Sequence, residues 1–312
     1  MLPFTGLTRM KASRYSTEQC AIDSMDICVA TIDAMLLQED RYCAGNHRGL
    51  HPLGCENGLP VDADARSKIT TWCSSLMKIN RYPKDTAAIA IDYLDRYVAT
   101  HPGKESLHNP RLYQLVALSC VYCAIKVHGH RPLAPAVVAK LSNGERSRED
   151  VEKMELKLLH ALQWRMNPPM AMSFVRSYLD CIPQGDEIDA ATRQALLDLC
   201  QIQIDASLSR YEFIFERRSR LGLAALLNAA NSLCEDGPIF LELEHVIHQR
   251  TNMTRDDLAS LRYQLYECIS SVDVSSSSLP MLRKPSLRVL STAPDVMFSN
   301  SPRQVISNIP LT

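Results

Sequence analysis

The chain has no surplus of positive charge. Its 34 lysines and arginines are offset by 35 aspartates and glutamates, which leaves a net charge of -1 over 312 residues. That argues against a nucleic-acid partner bound through an overall basic surface, because such binding draws on neutralised phosphates. No stretch approaches the ~20 apolar residues that a membrane-spanning helix needs. The first residues hold no continuous apolar segment of the kind a secretory signal carries. There is no glycine-rich phosphate loop. No serine, histidine and aspartate stand out as a catalytic order, so an enzyme has no constellation to rest on, and no cofactor is expected.

What is present is an ordinary globular composition, 46% hydrophobic and 22% charged. The eleven cysteines are scattered, mostly within helical patterns, and are expected as reduced thiols of an intracellular protein. Apolar residues recur at helical spacing along most of the chain, which predicts an all-α fold. Residues 1–16 read as disordered, and 17–61 as a helix and loop. The helix, over 17–42, has Ile22, Met25, Val29, Ile32 and Leu36 on one face. Five helices are predicted next, over about 64–80, 84–100 and 110–127, then from Pro135 and from Ser147. Asn109 is a good N-cap before Pro110, and Ser147 with Asp150 can form a capping box.

Pro168 and Pro169 break the chain. A second set of helices is predicted over about 170–180, 187–207, 218–234, 239–249 and 255–271. The segments SREDVEKMELKLL and TRDDLASLRYQLY echo each other: Val151, Met154 and Leu158 of the first recur as Leu258, Leu261 and Leu265. This suggests tandem five-helix repeats over 62–167 and 168–272. Residues 273–312 are Ser/Pro-rich without a sustained period and read as a disordered tail.

Two charges fall where charges are costly. Arg66 lies on the stripe of Ile69, Cys73 and Leu76. Asp95 lies on the stripe of Ala87, Ala90, Ile91, Leu94 and Val98. A buried charge needs a partner, so the expected solution is that the two helices pack and these residues pair. Their contexts, ARSKITTW and IAIDYLDRY, strongly resemble the cyclin box, the kinase-binding helical repeat of cyclins. The resemblance implies a cyclin-like fold and a regulatory subunit that binds and activates a cyclin-dependent protein kinase in cell-cycle control, in the nucleus and cytoplasm. The pre-box stretch MLLQEDRYC is similar to that of D-type and other G1 cyclins.

Glu155 sits beside the stripe of Val151, Met154, Leu158 and Leu162, and Lys126 sits in the last turn of its helix. Taken alone, the lysine suits the helix dipole and the glutamate could be solvated. The segments AIKVHGHRP and KMELKLLHALQW change that. They resemble the cyclin segments whose lysine and glutamate pair and hold the kinase backbone, so the resemblance assigns kinase binding to Lys126 and Glu155. Gln114, in RLYQLVALS, matches a family glutamine. The chain also departs from the pattern. Lys126 is followed by Val127, His128 and Gly129 where the family carries an aromatic and acids. The family's MRAIL-like run is here ARSKI, which leaves Ile69, Trp72 and Gln114 as a candidate substrate-docking patch. These departures keep a non-activating cyclin-fold scaffold, including a transcription-linked adaptor, as the alternative.

Three other signals carry less. Cys43, His47, His51 and Cys55 are zinc-competent ligands in a short loop, but their spacing matches no structural zinc class, and solvated loop residues are the simpler expectation. Cys120 and Cys123 form a CxxC within a helix, which suits core packing better than redox chemistry. RLGL at 220–223 has the spacing of a destruction box but falls in a predicted helix.

Overall fold

The computed structural model describes residues 26–42, 60–142, 144–182, 189–233 and 256–270, and among them there is no strand. Helix α1 covers residues 26–42. It is followed by α2 (Ala63–Ile79), α3 (Asp85–Val98), α4 (Glu105–His108), α5 (Pro110–His128), α6 (Pro135–Lys140) and α7 (Arg148–Ala161). Then come α8 (Ala171–Asp180), α9 (Ala190–Leu208), α10 (Arg218–Leu233) and α11 (Ala259–Ser270). Both the start of α1 and the helix expected over 239–249 lie outside the described residues. So do the two terminal segments read as disordered.

Side chains cap four of the helix starts. Asp62 accepts the Ala65 N–H at 2.9 Å, and Asn109 accepts the Leu112 N–H at 3.2 Å with Pro110 following it. Ser147 and Asp150 satisfy each other's backbone N–H at 2.9 and 3.1 Å, the reciprocal capping box. Asp189 accepts the Thr192 N–H at 2.7 Å, and this bond holds its carboxyl below the usual range.

Two cores result. The first gathers Ile69, Cys73 and Met77 of α2, nearly all of α3 and α5, Val138 of α6, and Val151, Met154 and Leu158 of α7. Helix α3 is buried from Thr86 to Val98, on every side and not along one stripe, because α2 and α5 pack on it and the second core closes over it. The second core joins Ile32 of α1 to Phe174 and Tyr178 of α8, Leu196 and Leu199 of α9, and the run Leu221–Ala230 of α10. The echoed positions share one fate: Val151, Met154, Leu158, Leu258, Leu261 and Leu265 are all buried.

The structure corrects the sequence reading in detail. The stripe of α2 runs through Met77, with Leu76 at its partly exposed edge. The one-turn α4 carries no periodic signal and was not expected. The echo of α7 opens with a 3₁₀ turn, Asp256–Leu258, before α11 begins.

Ion pairs and a close helix crossing hold the parts together. Arg176 of α8 meets Asp85 of α3 at 3.1 Å, and Arg218 of α10 stands 3.9 Å from Asp92. Helix α10 approaches α8 at Gly222, where an added Cβ would lie 2.6 Å from the Ala171 carbonyl oxygen. Gly222→Ala is therefore expected to lose about 1–3 kcal/mol by overpacking, even though alanine is the better helix former. Urea unfolding would show the midpoint falling with little change in slope.

Candidate functional site

Arg66 and Asp95 meet as a forked pair. Arg66 Nε donates to Asp95 Oδ1 and Nη2 donates to Oδ2, each at 2.8 Å. The side chains are 3% and 7% exposed. The remaining guanidinium nitrogen, Nη1, donates to the Leu208 carbonyl at the end of α9, also at 2.8 Å. Burial opposes the charge on Arg66, but Asp95 more than offsets it and holds the guanidinium above its ordinary value. The pair thus joins α2 to α3 and ties both to the end of α9, the helix that carries Leu196 and Leu199 of the second core.

Lys126 and Glu155 meet on the surface. Nζ donates to Oε1 at 2.8 Å, joining the last turn of α5 to the middle of α7. The two partners differ in exposure: the lysine side chain is 52% exposed and the glutamate 14%. The ammonium also stands 5.4 Å from the centre of the Tyr122 ring. The bond to Glu155 is the main cause raising the Lys126 ammonium above its usual value. Apolar side chains stand open nearby in the chain: Val127, Leu156 and Trp164 are each about half or more exposed. Gln163 and Trp164 have φ of 53° and 59°, a left-handed conformation that bulky residues rarely adopt. Trp164 meets His160 edge-on, with ring centres 6.2 Å apart.

Of the candidate docking patch, Ile69 is spent in the first core, while Trp72 and Gln114 are partly exposed. Lys68 pairs outward with Asp64 at 2.9 Å. Cys43, His47, His51 and Cys55 lie outside the described residues, among which no group of three or more His, Cys, Asp or Glu could hold a metal ion. Cys120 and Cys123 are buried; burial pushes the Cys123 thiol up to about 12, far from a reactive thiolate. RLGL lies within α10 with Leu221 and Leu223 buried. Among the described residues, no helix is long and apolar enough to cross a membrane.

Sequence reasoning missed a second interior cluster. Asp92 takes Arg96 Nη1 at 3.1 Å, while Arg96 also lies over the Tyr42 ring and donates to the Arg165 carbonyl. Glu39 was missed too. It follows Ile32 and Leu36 at stripe spacing, the same signal that exposed Arg66.

Comparison with known proteins agrees with this geometry. The family model described as the cyclin N-terminal domain matches residues 33–167, which contain both ion pairs. Residues 33–167 thus carry a cyclin N-terminal domain. It is 26% identical to Cyclin-D1-2 of Oryza sativa subsp. japonica over 66% of this chain and 57% of that protein. It is 24% identical to the G1/S-specific cyclin-D1 of Mus musculus over 63% of this chain and 64% of that one. The matched region thus spans less than two thirds of either relative. A viral cyclin from Herpesvirus saimiri shares the cyclin fold, with a TM-score of 0.51 at 16% identity, over 67% of this chain and 87% of that one.

Breaking the buried pair should unsettle the whole cyclin box. Arg66→Ala is expected to cost about 3–5 kcal/mol by leaving Asp95 buried and unpaired. Replacing both partners with apolar residues should cost less than Arg66→Ala alone. Thermal unfolding of the variants would check the order, and an unchanged melting temperature for Arg66→Ala would refute the brace.

Proposed function

We propose that this chain is a regulatory subunit that binds and activates a cyclin-dependent serine/threonine kinase through the face around Lys126 and Glu155. The observation that carries the reading is the pair itself. An ion pair with a half-exposed lysine adds little to folding, yet here the carboxylate is mostly covered and orders the ammonium at 2.8 Å. Val127 and Leu156, each next in sequence to one member of the pair, and Trp164, just beyond α7, are exposed apolar side chains. An ordered charge with apolar neighbours suits a docking surface, where buried aromatic anchors and desolvated charges carry most of the affinity. The names of the relatives, G1/S-specific cyclins among them, point the same way.

The mechanism follows from kinase chemistry. A protein kinase needs the glutamate of its regulatory helix paired with its catalytic lysine before ATP is well placed. A rigid helical surface that binds the inward position of that helix shifts the equilibrium toward the active state. The chain contributes no reacting group. A stable complex of this kind buries at least ~1,600 Å² in total.

The test is to purify the tagged protein from its own cells and assay the kinase that comes with it. Lys126→Ala with Glu155→Ala should weaken binding roughly 30-fold, the effect of losing one interface hot spot. Circular dichroism and melting temperature should stay near the parent values, because the pair is half exposed. Parent-like affinity of the double variant would refute the proposed contact. A kinase that co-purifies but stays inactive would favour the scaffold reading.

A further inference from the structure

The connector between the two cores is gripped from two sides. Three successive carbonyls, of Arg165, Met166 and Asn167, each accept from a side chain of a helix. Arg96 of α3 donates to Arg165 at 2.9 Å. His128, at the end of α5, contacts the Met166 carbonyl through Nε2 at 2.8 Å, and the Tyr93 hydroxyl donates to the same oxygen. Gln38 of α1 donates to the Asn167 carbonyl at 2.9 Å, and the Asn167 N–H donates to the Tyr42 hydroxyl at 3.0 Å. Arg165 returns a bond to the Arg41 carbonyl at 2.7 Å. The last turn of α1 therefore holds one side of the connector. The residue two places after Lys126 holds the other.

Glu39 fixes α1 in this position. It is 1% exposed. One oxygen accepts the Ser219 N–H at 2.9 Å; the other accepts the Ser219 hydroxyl at 2.6 Å and Arg217 Nε at 3.0 Å. Ser219 lies in the first turn of α10. A carboxylate from α1 thus caps another helix, where its charge also meets the positive end of the helix dipole. Charge-assisted bonds of this kind are about twice as strong as neutral ones, so α1 is keyed to the second core at one defined register.

We infer that Glu39 is a positioning residue for the partner-docking face. It keys α1 to α10, and α1, through Gln38 and Tyr42, sets the connector that follows Trp164 and meets His128, two residues on from Lys126 in the last turn of α5. The role in docking rests on the kinase-binding reading of that face; the relay of contacts does not. A carboxylate in the second core thereby tunes a surface on the first without touching the partner.

Trp164 offers a readout that needs no kinase. The chain has two tryptophans, Trp72 and Trp164, so Trp72→Phe leaves Trp164 as the sole fluorophore. In that background Glu39→Gln is expected to lower Trp164 anisotropy while the helical circular dichroism persists. The same change in the parent is expected to weaken the co-purified kinase roughly 5-fold or more. Gln38→Ala with Tyr42→Phe should reproduce both effects while sparing the Glu39–Ser219 cap, which keeps the test open if Glu39→Gln folds poorly. Unchanged anisotropy in both variants would overturn the relay. Lower anisotropy with unchanged kinase affinity would overturn the positioning role. If the parent binds no kinase, the kinase reading fails, and the anisotropy still decides whether the relay exists.

Discussion

The bond from Arg66 to Asp95 is expensive to make and more expensive to break. Both groups leave water entirely, and the cost is met by a forked geometry plus a third hydrogen bond to the Leu208 carbonyl. Because that carbonyl ends α9, one guanidinium ties α2, α3 and α9 at a single point. The crossing of α2 and α3 then has one register in which every guanidinium arm is satisfied. The other contacts across the seam, Arg176 with Asp85 and Arg218 with Asp92, are longer and more exposed, and they reinforce a geometry already chosen.

Lys126 and Glu155 are separated along the chain by the same 29 residues as Arg66 and Asp95, yet their energetics are opposite. The buried pair is demanding and structural. The surface pair, with its lysine half exposed, is expected to add little to folding. The proposed kinase-binding role makes sense of the contrast: it needs a frame that does not yield, and a face that a partner can cover. The left-handed turn at Gln163 and Trp164 belongs with the second need, because backbone strain of that kind persists only where the surrounding structure imposes it.

The sequence was most legible where a residue contradicted its neighbours. Arg66 and Asp95 stood out as charges on apolar stripes, and their pairing followed from physics alone. The caps at Asn109 and Ser147 were legible for the same local reason. Lys126 and Glu155 were not, since a terminal lysine and a stripe-edge glutamate have bland explanations, and the family resemblance had to bring them together. Glu39 carried the stripe-spacing signal but was hidden among the charges of MLLQEDRYC. The connector was invisible for a deeper reason: its acceptors are backbone carbonyls, which every residue carries. Ile69 stood both on the apolar stripe and in the candidate docking patch, because an apolar residue on α2 can face the core or a partner; in the structure it packs in the first core.

Helix α3 lies buried on all sides from Thr86 to Val98, and this has a consequence for motion. Its amides have no solvent-facing edge through which single turns could fray, so their protons can be lost to water only when the first core opens as a unit. In hydrogen exchange α3 would mark the slowest cooperative unit of the first core, while the half-wet surface of α7 around Lys126 exchanges through local openings. The face proposed for docking can then flex on its own timescale without loosening the frame beneath it.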